Sequence, residues 1–417
     1  MGAMTPDQVL ATELETVDPK LPLLYERDDT WFSFVEKRPA EVVSARDMRV
    51  PLNIRPGGKF RQFNAAGGDM GRGAGTTYEK AVLTTVDFSY AKEWQLKTDW
   101  ATDEKRKAVV QTIRQEIATA MAEFRKHSDS IALTSGNGVL ATVESTTNAG
   151  GFDTVVLDNT VGARLLRFGQ DVNVYDSALA VHRTVAGEKE ITYLDIPSRT
   201  IKFATMAGLI AGDKIVVGGV SGANPVSVYG QPYHASSASV GTWLSFDRAL
   251  WPEVRANSVA ANAGALALPH ARLAINKIGD RLGIDTQVNV VAWMHPCQQQ
   301  AYEELGQLVS IINKDSGSKG LDLYFNDNMR IAGAPIKKHF SWNKKRIDFT
   351  DKDIWARAEM KKAQFLTVDG VKIFPVRGAS GGLAASLLTY IVASWNMYVN
   401  KPPAISYIDD LGVPAGY

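Results

Sequence analysis

The chain has 417 residues, 45% of them apolar, with 46 Lys+Arg against 45 Asp+Glu. That length and apolar content suggest two or three domains with at least one large core and exclude general disorder, and a net charge of +1 excludes a global field that would gather nucleic acid or anionic membrane. A single cysteine, Cys297, excludes an intramolecular disulfide framework and a cysteine-rich metal cluster.

No stretch is apolar over the roughly 18 residues that a spanning helix needs, and residues 1–20 lack the charged start and apolar run of a signal peptide. The expectation is a soluble product that is not secreted. Residues 1–29 carry Asp7, Glu13, Glu15, Asp18, Glu26, Asp28 and Asp29 against Lys20 and Arg27, and Pro19, Pro22 and Pro39 interrupt helix. This predicts an acidic extended arm with a short helical piece over 30–36.

Two strand-like runs follow, at 48–54 and 80–94, separated by the glycine-rich RPGGKFRQFNAAGGDMGRGAGTT. A connection this long without a core-forming pattern points to a functional loop, read here as a long projecting β-hairpin. Between 46 and 76 it carries Arg46, Arg49, Arg55, Lys59, Arg61 and Arg72 against Asp47 and Asp69, four charges positive.

From 103 to about 131 the apolar residues Val109, Ile113, Ile117, Ala120, Met121 and Phe124 recur at steps of three and four, one face of a helix. Thr102 suits the cap, Asp103 and Glu104 the positive end, and Arg125, Lys126 and His127 the negative end. At 1.5 Å per residue this predicts a rod of roughly 40 Å.

After a Ser/Thr/Asn/Gly-rich link, strand candidates at 154–157, 172–175, 179–183, 190–194, 200–204 and 214–217 are broken by Gly169, Gly187, Pro197, Gly208 and Gly212. That spacing predicts a small inserted antiparallel β-barrel. From 245 the pattern is mixed α/β: Pro269 opens a helix that Gly283 stops, a strand follows over 287–294, and Pro296 opens a second helix to about Ile312. Alternating patches at 345–349, 363–368 and 371–376 precede an apolar run at 383–399.

Catalytic motifs fail on their own chemistry. Gly378-Ala379-Ser380-Gly381-Gly382 matches the G-x-S-x-G nucleophile elbow, but the base histidine must follow the serine and the last histidine is His339. His127, His182, His234, His270, His295 and His339 have no pair at metalloprotease spacing, and there is no phosphate-binding loop. Lys337, Lys338, Lys344, Lys345 and Arg346, interleaved with Phe340 and Trp342, read as a solvated strand edge, with a phosphate-facing patch as the sharper alternative.

The order of arm, basic hairpin and over-long helix, together with QVNVVAWMHPCQQQAYEEL and WNMYVNKPPAISYIDDL, resembles the major capsid proteins of tailed double-stranded DNA bacteriophages with the Hong Kong 97-type fold. The resemblance implies an α+β architecture divided as follows: N-terminal arm 1–45; extended hairpin loop 46–98; peripheral domain with spine helix 99–153; inserted β-barrel domain 154–232; axial domain 233–340; and return strands 341–417. It implies a coat protein that assembles into hexamers and pentamers of an icosahedral shell around DNA held without sequence-specific contacts. Catalytic, cofactor and metal sites and membrane contact are not expected. Scaffolding and portal partners are, as is a surface open to a decoration protein. Synthesis is expected in the bacterial host cytoplasm and residence in the virion capsid. On the hairpin, Arg55, Lys59, Arg61 and Arg72 would lie over an adjacent subunit, answered by a carboxylate such as Glu116 or Glu123 of the spine helix. Some family members join a hairpin lysine to a neighbour's asparagine; Lys59 is comparably placed, with no partner asparagine or assisting acid identified. The alternatives are an encapsulin-type nanocompartment shell with the same fold, a hydrolase using Ser380, and a DNA-binding protein using the 337–346 patch.

Overall fold

The structure is a computed structural model that describes residues 30–38, 47–55, 57–62, 72–95, 112–220, 222–283, 289–312, 330–368, 372–377 and 383–414. The arm over 1–29, the middle of the hairpin loop, and Thr102, Asp103, Glu104 and Val109 lie outside the described residues. The chain divides into two compact units, one of Thr30–Asp87, His127–Lys362 and Ser394–Tyr417, the other of Met1–Asp29, Phe88–Lys126 and Ala363–Ala393.

The centre of the larger unit is a six-stranded mixed sheet in the order Asn257–Ala260, Ser406–Asp409, Ile347–Asp351, Val290–Met294, Ala334–Lys338, Arg330–Ile331. Alternation along Val290–Met294 explains how both faces are covered. Val290, Ala292 and Met294 pack with Ile275 and Ile278 of the helix Leu268–Leu282 and with Leu305 of the helix Pro296–Ile312. Trp293, on the opposite face, joins Trp31, Phe34 and Trp342. The first helix buries Ala271, Ala274, Ile275 and Ile278, one stripe at steps of three and four, and ends where Gly283 takes φ +91°.

The segment entering this unit is pinned by aromatic packing. Trp31, in the short helix Thr30–Phe34, is fully buried against Trp355 as well as Trp293 and Trp342. Phe32 donates its backbone N–H to Asp129 Oδ1 at 2.7 Å, and Glu36–Arg38 then pairs in parallel with Ala356–Ala358. Asp129 also accepts from His339 Nε2 at 2.9 Å, while His339 Nδ1 accepts from the Ser341 N–H. One buried carboxylate thus ties together three distant stretches of chain.

A second core lies within an antiparallel sheet in the order Lys189–Glu190, Asp171–Tyr175, Lys214–Val217, Val139–Ala149, Phe152–Leu157, Thr200–Ala204, Tyr193–Asp195. The two end strands are successive pieces of one stretch, 189–195. Its first piece pairs with Asp171–Tyr175 and its second with Thr200–Ala204, and Ile191 and Thr192 between them bond to Gln170 and Lys202. The sheet therefore closes on itself around Val143, Val155, Leu157, Val172, Val174, Ile191, Ile201, Phe203 and Ile215. Asn159 caps the helix Thr160–Leu165 against one end, its Oδ1 accepting from Gly162 N.

Two stretches differ from the sequence reading. Residues 139–149, read as a link, form a barrel strand; Ser145, Thr146, Thr147 and Asn148 look like loop residues, but they occupy its solvent-facing half. Residues 179–183, read as a strand, form a turn: Asp176 Oδ1 accepts from Val181 N, and Leu179 has φ +62°.

In the smaller unit, Phe374–Arg377 pairs antiparallel with Leu383–Leu388, and Leu366 N–H donates to Tyr390 O. The strand Val86–Gln95 also lies beside the strand Leu383–Val399, presenting Val86, Phe88, Tyr90 and Trp94 on its half-buried face. The run 80–94 is thus two strands divided at Thr85. The long helix is described as Thr112–Ala132, about 30 Å at the α-helical rise, with Ala120 and Phe124 buried.

Candidate functional site

The strands Asp47–Arg55 and Thr77–Thr84 form the basic hairpin. Its base is held by alternation: Met48, Val50, Ala81 and Leu83 are buried with Trp243, Phe246, Val254, Ala356, Ala358 and Tyr398. Ser245 covers part of the outer edge, its Oγ accepting from Val82 N and donating to Lys80 O. Towards the tip the two limbs stay close. Gly58 N–H donates to Ala74 O at 2.7 Å, and a Cβ on Gly57 would fall 2.4 Å from Thr76 N. Only glycine fits there.

The ladder bulges between Asn53 and Arg55, and a bulge re-aims the side chain that follows it. Arg55 accordingly turns to its own chain. Its Nε donates to Glu253 Oε1 at 2.8 Å, and its guanidinium lies 4.7 Å from the Trp251 ring centre. The hydrogen bond from Arg55 is the first cause holding the Glu253 carboxyl below its ordinary range. Both side chains are well exposed, so this pair contributes only about 0–1 kcal/mol.

Lys59, Arg61 and Arg72 sit on the exposed limbs of the tip beside Phe60, which is fully solvent-exposed. The described tip residues, 57–62 and 72–76, include these three cations and no carboxylate. Glu123 is half-buried and pairs with Lys126 one turn along its own helix, at 3.3 Å. Glu116 lies on the same helix, its side chain outside the described residues. The structure thus places Lys59, Arg61 and Arg72 on the exposed limbs of the tip and occupies Arg55 within the chain. Glu253, 198 positions from Arg55, had no signal in the sequence.

The other motifs resolve as structure. Ser380 lies outside the described residues, but the strands flanking 378–382 pair antiparallel, Arg377 opposite Leu383. His234 is fully buried: Nδ1 accepts from Trp243 Nε1 at 3.0 Å and Nε2 donates to Met397 O. Burial pushes its pKa down to about 3. Cys297 is buried, and desolvation raises its thiol above the ordinary range. No group of three or more metal-ligating side chains converges among the described residues. In the 337–346 patch, Arg346 and Trp342 face inward, both bonded to the fully buried Asp348.

Fold and site together define a mixed α/β chain with an exposed, basic, glycine-closed hairpin. Neither a family profile nor a curated protein matches the sequence. Solved structures match its fold over nearly its whole length. The cyanophage A-1(L) capsid subunit aligns with a TM-score of 0.58 at 10% identity, over 98% of this chain and 99% of that one. The capsid of the empty GTA particle aligns at 0.51 and 11% identity, covering 98% of each. The SrpI encapsulin of Synechococcus elongatus PCC 7942 aligns at 0.47 and 10% identity over 100% of this chain and 98% of that one, too loosely to carry an argument. The chain has the fold of phage capsid subunits.

Proposed function

We propose that this chain is the major coat subunit of a tailed-phage-type shell. In this reading many copies form hexamers and pentamers that close around double-stranded DNA, with a structural role and no cofactor. The observation that carries it is the fold shared with the cyanophage capsid subunit from end to end of both chains. Residues 46–98 are then the extended loop, the long helix the spine of a peripheral domain at 99–153, residues 154–232 the inserted barrel domain, and 233–340 the axial domain, with the arm at 1–45 and return strands at 341–417. Scaffolding, portal and decoration proteins are the partners such a shell would recruit, in a virion made in the bacterial cytoplasm.

Arg55 pairs with Glu253 of its own chain, while Lys59, Arg61 and Arg72 stand on the limbs of the tip. In this reading the tip cations meet carboxylates of a neighbouring copy. Each exposed pair contributes about 0–1 kcal/mol, so buried apolar area repeated at every interface must hold the shell. The test is negative-stain electron microscopy of the purified protein across concentration and salt. Closed shells, rings or tubes are expected; compact monomers under all conditions, including with a co-expressed scaffolding partner, would overturn the reading.

A further inference from the structure

The part of the 337–346 patch that faces outward gathers around an exposed aromatic ring. Phe340 is 52% exposed, and the Arg164 guanidinium lies 4.9 Å from its ring centre. Arg164 comes from the helix Thr160–Leu165 against the barrel, so two elements converge on the ring. His295, at the entry to the helix Pro296–Ile312, meets the same ring edge-on, with centroids 6.4 Å apart. The Lys344 backbone is fixed to that helix entry, its carbonyl accepting from Gln298 Nε2 at 2.8 Å. The Lys344 side chain is partly exposed, next to the exposed Lys345.

The charges that act on His295 are all of one sign. After burial, the groups that depress His295, to about 4, are Lys344, Arg164 and His339, every one a cation or potential cation. Two of the carboxylates on these elements are engaged internally: Asp129 bonds to His339 and Phe32, and Asp348 to Arg346 and Trp342. Asp409 and Asp410 are exposed just before Leu411, whose N–H donates to Lys345 O. Among the described residues no carboxylate forms an ion pair with Lys344 or Lys345.

We propose that Arg164, Lys344 and Lys345, beside the Phe340 ring, form a contact surface for the phosphate backbone of duplex DNA. Arg and Lys side chains on phosphate position a duplex without reading its sequence, which suits a wall that must accept any sequence packed against it. An acidic peptide would satisfy the same charges; the choice of duplex rests on the shell reading above.

The experiment measures binding of the full-length protein to a short labelled duplex of random sequence by fluorescence anisotropy over a salt series. Three forms are compared: the parent, R164Q/K344Q/K345Q, and the charge-matched control K361Q/K362Q/K372Q. Near-UV circular dichroism confirms folding, and electron microscopy scores particles separately. If the three cations touch phosphates, the slope of log affinity against log salt becomes shallower by about 2–3 in the patch variant and stays at the parent value in the control. Equal slopes in the two variants, no binding by the parent, or displacement by polyglutamate at concentrations where competing duplex has no effect would each overturn the surface. Parent particles in the same samples would show that the shell reading survives such a failure, whereas absent particles would count against that reading itself.

Discussion

Replacing Asp348 with alanine isolates the cost of a buried ion pair. Asp348 is fully buried and accepts from Trp342 Nε1 at 2.9 Å, Arg346 Nε at 2.9 Å and Arg346 Nη2 at 2.6 Å. Without it, the Arg346 guanidinium keeps only the Ala235 carbonyl at 2.6 Å and the face of Tyr407 at 3.7 Å. A guanidinium left buried without its counter-charge costs about 3–5 kcal/mol. The orphaned indole N–H belongs to the same network, so its own share of about 1–3 kcal/mol does not simply add. Chemical denaturation followed by tryptophan fluorescence suits the question, because the donor Trp342 lies in the cluster being probed. The D348A midpoint should fall by the equivalent of about 3–5 kcal/mol. The double variant R346M/D348L, which removes both charges and keeps the volume, should recover most of that loss. A single variant within about 1 kcal/mol of the parent, or a double variant as unstable as the single, would refute the argument that the charge and not the shape is at stake.

Acid should destabilise the larger unit through its buried neutral histidines. His234 titrates near 3 in the fold against an ordinary 6.5, so the unfolded chain takes up the proton first. Its contribution is complete above about pH 6.5 and is lost as pH falls towards 3, at about 1.4 kcal/mol per unit. His295, lowered to about 4, adds the same slope between 6.5 and 4, and H234Q should flatten the stability–pH curve over that range. W31A should cost about 3–5 kcal/mol in thermal or denaturant unfolding, since the ring fills the centre of the tryptophan cluster. In G57A the added methyl cannot be accommodated against Thr76 and Gly75, so limited proteolysis should cut the hairpin faster while global unfolding stays within about 1 kcal/mol of the parent. K59E/R61E/R72E should leave the circular dichroism of the monomer unchanged yet abolish particles by microscopy; normal particles would remove the hairpin tip from the assembly contacts.

Helix ends were legible wherever a single residue dictates backbone geometry. Pro269 and Gly283 bracket a helix running Leu268–Leu282, and Pro296 opens one running to Ile312, because proline and glycine act without tertiary help. Elements decided by context were not. The polar strand 139–149 is held by neighbours on both sides, and Thr85 marks a change of partner that hydropathy does not register. At the candidate site, exposure of the tip was readable from its glycines and missing aliphatics. The fate of each charge was not: Arg55 finds Glu253, and Asp129 finds His339, 210 positions away. Arg346 and Asp348 form the exception: they lie two apart, Arg346 just before the strand Ile347–Asp351 and Asp348 within it, and the alternation of that segment puts opposite charges on one face.

The barrel closes through one stretch, 189–195, that serves a different neighbour with each half. An open sheet displays a row of unsatisfied amides and carbonyls that invites another chain to add on. A sheet that bites its own tail withholds that invitation. If such a domain is displayed at high density, as the shell reading requires, this matters more than its own stability: identical barrels crowded side by side lack the template that would zip them into aggregates. The chain can thus concentrate its capacity for self-association in elements other than the barrel.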